Sequence, residues 1–245
     1  MPRVLQLLVA LLILKVTFGI VVGYRDYFPP NFDSDFLLGR EAYFGGGYRV
    51  AFYAHILAGP LTLLLGLLLV SDRLRMRFPR LHRSLGKGQG LLVLLALVPS
   101  GLWMAFYAGT VVAATGFAAL AVATGACVAI GWWAAVRRRF EAHRRWMWRT
   151  FLLLCSAVVL RLIGGLASVT GIGGEWSYPV AAWAIWLLPL AAYEVYLRAG
   201  TRIWPAAKGA SRNLCCARQQ SRQQEPERQS MPTSSLPAME TSARR

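Results

Sequence analysis

Six apolar stretches, each long enough to cross a bilayer, recur along this chain, and the connections between them alternate in charge. A bilayer's hydrocarbon core is about 30 Å thick, and about 20 apolar residues in α-helix span it. The stretches lie at about 4–23, 49–70, 90–107, 111–136, 150–170 and 179–197. They predict an all-α fold, a polytopic membrane helix bundle of about six transmembrane helices. Of the 245 residues 56% are hydrophobic, with a mean hydropathy of +0.44, more apolar surface than one soluble core of this size would hide. The first stretch is interrupted only by Lys15 and has no small-residue cleavage pattern, so it is expected as a retained helix rather than a signal peptide.

The connections set an orientation. Segment 24–48 holds Asp26, Asp33, Asp35 and Glu41 against Arg25 and Arg40, and its Pro29-Pro30 and Gly45-Gly46-Gly47 read as a loop. The connection after the second stretch carries Arg73, Arg75, Arg77, Arg80, Arg83 and Lys87; the one after the fourth carries Arg137, Arg138, Arg139, Arg144, Arg145 and Arg149. Short Arg- and Lys-rich connections stay in the cytoplasm. Every connection agrees with both termini on that side of a plasma (inner) membrane. Aromatic residues follow the same map: Trp132, Trp133, Trp146 and Trp148 near the basic face, and Tyr24, Tyr27, Trp176 and Tyr178 near the other. The net charge of +16 is thus distributed as topology signals, which excludes a nucleic-acid-binding stripe. Residues 199–245, rich in Gln, Ser, Pro and Arg, are too polar to bury anything and are expected as a disordered basic cytoplasmic tail. Its Cys215 and Cys216 read as reduced thiols, with acylation as the alternative; Cys127 and Cys155 read as small packing residues.

Ionisable groups inside a membrane are costly, so each is a candidate site. At 1.5 Å per residue Lys15 lies roughly 12 Å, His55 roughly 9 Å and Arg161 roughly 14 Å from the outer helix ends. Lys15 and Arg161 are candidate ligand-binding residues for an anion, against snorkelling for the lysine and backbone bonding for the arginine. Pro60, Pro99 and Pro189 fall within helices, where each removes a backbone hydrogen bond and favours a kink. A b-type haem would need two facing axial ligands. The candidate cofactor-binding residues are His82 with His143, or His55 with Met104; the plainer readings are phosphate contact or loop packing for the first pair and a hydrogen-bonded core histidine for His55. Glu194 is expected to pair with Arg198 one turn on. No phosphate-binding glycine loop, HExxH or paired intramembrane carboxylates support a hydrolase or ATPase.

The chain carries His55, then RFPRLHRSLGK (Arg77 to Lys87), HRRWMWR (His143 to Arg149), Arg161-Leu162, and AAWAIW followed by YE (Ala181 to Glu194). In this order the motifs resemble the bacterial predicted-membrane-protein family catalogued as domain of unknown function 2306, over about residues 49–198. The resemblance implies a polytopic bacterial membrane protein with no established activity, and places His55, His82, His143, Arg149, Arg161 and Glu194 in the family pattern. Where that pattern would have a Gly-Pro-Phe-Gln-like stretch, this chain has GLLLV (Gly66 to Val70). Three functions stay open: an accessory or structural membrane component, a haem b or quinone-binding redox protein, and a binder or transporter of a small anion or lipid in the outer leaflet.

The orientation is directly testable. Single cysteines placed near Arg77 and Arg144, in a background lacking the native cysteines, are expected to resist a membrane-impermeant thiol reagent in intact cells. A cysteine near Asp33 is expected to react.

Overall fold

The computed structural model describes residues 3–34, 36–171 and 174–203 and is helical throughout the bundle. Its helices are α1 (Arg3–Val22), α2 (Gly46–Leu69), α3 (Asp72–Arg77), α4 (Pro79–Leu92), α5 (Val98–Phe106), α6 (Val111–Val136), α7 (Phe140–Leu154), α8 (Ser156–Thr170) and α9 (Ser177–Ile203). Among the described residues, six segments are long and apolar enough to cross a membrane: Val4–Asp26, Gly46–Leu69, Pro79–Phe106, Val111–Val136, Phe140–Thr170 and Ser177–Ala199. The chain divides into two units, Met1–Glu194 and Val195–Arg245, and the described part of the second is only the end of α9. Asp35 lies outside the described residues, as does the expected tail beyond residue 203 with Cys215 and Cys216.

One expectation needs correction. The connections expected as basic loops are largely helical: Pro79 begins α4, so the third span starts well before Gly90, and Phe140 begins α7, ahead of the expected start at Thr150. Arg and Lys are good helix formers, and their charge locates the water interface without ending the helix. Pro79 suits a helix's first turn, where no backbone N–H partner is required. Segment 24–48 is irregular, as expected of a loop, up to the start of α2 at Gly46, with short 3₁₀ turns at Gly23–Asp26 and Glu41–Tyr43, and it is also packed. Leu37, Phe44, Tyr48 and Phe52 are fully or almost fully buried there, ringed by Tyr27, Phe32, Phe36, Tyr43, Tyr53, Met104 and Tyr107. Arg40 stacks on Phe36 at 4.7 Å and donates to the Phe36 carbonyl at 2.7 Å and the Tyr48 hydroxyl at 3.1 Å. The charges that make this stretch look polar therefore sit on an aromatic core, which closes the end of the bundle opposite the basic segments.

The helix-interrupting prolines are accommodated. Pro60 cannot donate to the carbonyl of Ile56, and the Tyr24 hydroxyl at the end of the first span donates to that carbonyl instead, at 2.6 Å. Pro99 follows a single π-helical turn, Val93–Leu97, which widens the third span just before the residue that cannot hydrogen-bond. Hydroxyls of Thr17, Thr62, Thr124 and Thr150 return to carbonyls three or four residues earlier, so the polar side chains of the spans carry few unmet demands.

Helix contacts are close where side chains are absent. A Cβ on Gly116 of α6 would meet the Trp183 indole nitrogen at 3.0 Å and the backbone carbon of Ala182 at 3.2 Å. The glycine lets α9 seat its buried Ala182, Ile185 and Trp186 against α6 and α7. Because backbone cannot swing aside, Gly116→Ala is expected to lower stability in detergent by about 1–3 kcal/mol. Gly164→Ala, which meets nothing within 4 Å, is expected to be neutral or slightly stabilising. Thermal unfolding of both variants checks this.

Candidate functional sites

The basic end gathers residues from four spans and the short helix between two of them. Asp72 on α3 pairs with Arg75 at 2.8 Å and lies 3.8 Å from Arg144 of α7, so the two basic segments share one end of the bundle. His82 of α4 is within electrostatic range of His143 of α7 and of Arg75. His143 Nδ1 lies 2.8 Å from the Gly131 carbonyl of α6. A carbonyl only accepts, so Nδ1 carries the proton, and in the neutral ring Nε2 keeps its lone pair. Among the described residues His82 Nδ1 is buried with no hydrogen-bond partner. His82 and His143 thus share the basic end of the bundle, His143 anchored through Nδ1. A backbone-anchored imidazole with a free Nε2 is also the arrangement in which histidine serves as a ligand.

One turn deeper, Arg149 grips Glu194 of α9 through Nε to Oε1 at 2.6 Å and a terminal nitrogen to Oε2 at 3.2 Å. The guanidinium lies over Trp146 at 4.6 Å and near Tyr193 at 5.9 Å. The side chains are 18% and 32% exposed, against 49% and 72% for the Arg145–Glu141 pair on the surface of α7. Sequence reasoning missed this contact, because it offered Glu194 only the nearby Arg198. A partner 45 residues away on another helix has no local signature.

His55 lies at the other candidate position, on α2 facing α5. Its Nδ1 is 3.2 Å from the Ser100 hydroxyl, which has one proton and donates it to the Ala96 carbonyl at 2.6 Å. The His55 ring also hydrogen-bonds to the Leu97 backbone, so two contacts tie it to the third span. Ser100 follows directly on Pro99, next to the π-helical turn, and the ring packs on Gly101. Met104, proposed with His55, is one turn along the same α5 and packs into the aromatic cluster. The two therefore approach a shared helix interface. Lys15 and Arg161 are both exposed on the outside of the described bundle, Arg161 within electrostatic range of Tyr24. Among the described residues no group of three or more His, Cys, Asp or Glu could hold a metal ion.

Six apolar spans, with charge gathered at one end, define a multi-pass helical membrane protein. Residues 52–197, more than half of the chain, match the family described as predicted membrane protein (DUF2306), and the chain belongs to that family. No curated protein and no solved structure matches it.

Half-buried and joined by two hydrogen bonds, Arg149 and Glu194 should be coupled. A double-mutant cycle with Arg149→Gln and Glu194→Gln, read by unfolding in detergent, is expected to give a coupling of about 1–2 kcal/mol. The same cycle on Arg145 and Glu141 is expected to give less than about 1 kcal/mol, because water screens that pair.

Proposed function

We propose that this chain is a non-catalytic, structural or accessory component of a bacterial inner membrane, with both termini in the cytoplasm. The Arg149–Glu194 contact carries the reading: a largely buried pair of opposite charges, costly to desolvate, holds the fifth span to the sixth. The same economy extends to other polar residues of the spans. His143 ties α7 to α6, Gln89 donates to the Thr62 carbonyl across to α2 at 3.1 Å, and the Tyr24 hydroxyl donates to the Ile56 carbonyl that Pro60 leaves open. Groups committed to such bonds are poorly placed to turn over a substrate.

A second reading is favoured by one observation. His82 and His143 lie within electrostatic range of each other at the basic end, His82 with a buried nitrogen that has no hydrogen-bond partner among the described residues and His143 anchored through Nδ1, which in the neutral ring leaves Nε2 its lone pair. Two imidazoles suffice as axial ligands for haem b, or as hydrogen-bond partners for a quinone. A haem held there would supply one-electron chemistry.

The two readings separate on the visible spectrum of the full-length protein, purified after expression with haem supply. The structural reading expects a colourless protein whose His82→Ala/His143→Ala variant purifies in the same state. A reduced-minus-oxidised Soret and α band that disappears in that variant would overturn it in favour of haem. Retention of an added quinone by the parent protein and its loss in the same variant would overturn it in favour of quinone.

A further inference from the structure

A cleft of about 520 Å³ opens beside the turn from α6 to α7, where the fourth span ends at Val136 and the fifth begins at Phe140. Its lining includes Arg139, Phe140, Glu141, Arg145, Trp146 and Arg149. We propose that this cleft seats the phosphate headgroup of an anionic phospholipid. The volume is in the range of small-molecule sites, and the place is where a helix leaves hydrocarbon for the headgroup layer.

The charges are graded along the cleft. Arg149 is engaged by Glu194 and forms a rigid inner wall. Among the described residues Arg145 is paired with Glu141, at 2.6 Å in an exposed pair worth little in water, so a phosphate can replace that carboxylate at small cost. Arg139, also in the lining, makes no ion pair among the described residues; its guanidinium carbon lies 5.5 Å from the Trp133 ring centroid, a cation–π contact shared with Arg137 at 5.4 Å that does not neutralise its charge. Two guanidinium groups converging on phosphate oxygens give charge-assisted, geometrically specific bonds. The preceding Arg138 adopts a left-handed backbone conformation, with φ at 56°, that a non-glycine residue reaches only at a cost.

The walls point to a lipid rather than to soluble phosphate. Phe140 is 67% exposed, and with Trp146 it gives the cleft an apolar side against which glycerol and the first acyl carbons can lie. Basic pockets between helices at a membrane face attract anionic lipids generally, and this one adds aromatic surface at the right depth.

Native mass spectrometry of the full-length protein in detergent tests the site, with phosphatidylglycerol, phosphatidylcholine and inorganic phosphate added separately. Phosphatidylglycerol is expected to be retained about tenfold better than phosphatidylcholine, and inorganic phosphate is not expected to be retained. R139Q/R145Q should lose most of that preference, while R80Q/R83Q, with the same charge change elsewhere on the basic end, should keep it. E141Q, which removes the competing carboxylate, should raise retention several-fold and serves as the deciding variant if R139Q/R145Q does not fold. Equal retention of the two lipids, equal loss in R80Q/R83Q, retention of inorganic phosphate alone, or no gain in E141Q would each overturn the proposal.

Discussion

Hydrocarbon offers no hydrogen bonds, so a backbone or side-chain polar group left unpaired inside a bilayer costs several kcal/mol. Almost every specific contact in this protein answers that constraint. Apolar side chains can face lipid or each other with little difference in free energy, which leaves close packing and polar closure to decide how the helices associate. Gly116 admits α9 to α6, the Tyr24 hydroxyl completes the carbonyl that Pro60 strands, and Arg149 and Glu194 neutralise each other between α7 and α9. The Ser100 hydroxyl belongs to the same set, since beside Pro99 and its π-helical turn it donates back to the carbonyls of Ala96 and Leu97.

The two ends of the bundle solve the water boundary differently. One end is covered by an aromatic cluster built from segment 24–48 and the first turns of α2, organised around Leu37 and Phe52 and held by Arg40. The other is cationic, and its helices run on past the hydrocarbon, carrying His82, His143 and the arginines with them. A rigid apolar cap on one side and an accessible charged face on the other make the basic end the place for contact with soluble or headgroup chemistry. His55, by contrast, sits between α2 and α5 with its Nδ1 committed to Ser100.

How much of this was legible beforehand differs by residue. The six spans and the charge alternation were readable because hydropathy acts on each segment separately, and the Asp72–Arg144 contact agrees with the grouping of the two basic segments at one end. The helical character of Arg77 to Lys87 and of Phe140 to Arg149 was masked by their charge, which locates an interface but says nothing about where the hydrogen-bond ladder stops. The aromatic cap was masked in the opposite way: Asp, Arg and Gly dominated the reading of 24–48, while Phe32, Phe36, Phe44 and Tyr48 gain meaning only when brought against Phe52 and Tyr107. His82 and His143 were suspected of converging. The tautomer that leaves His143 Nε2 free depends on Gly131, a residue with no side chain to advertise it.

Composition alone, through runs of apolar residues and the sign of the charges between them, determined that this chain is a six-span membrane protein and grouped its basic segments on one face. Those properties follow from transfer free energies, which are additive along a chain and need no knowledge of neighbours. The three-dimensional packing decided which charges meet, which helix ends are capped and where a cleft remains. Such outcomes depend on pairs of groups far apart in the chain, and on glycine and proline positions whose effect is felt only by the helix opposite.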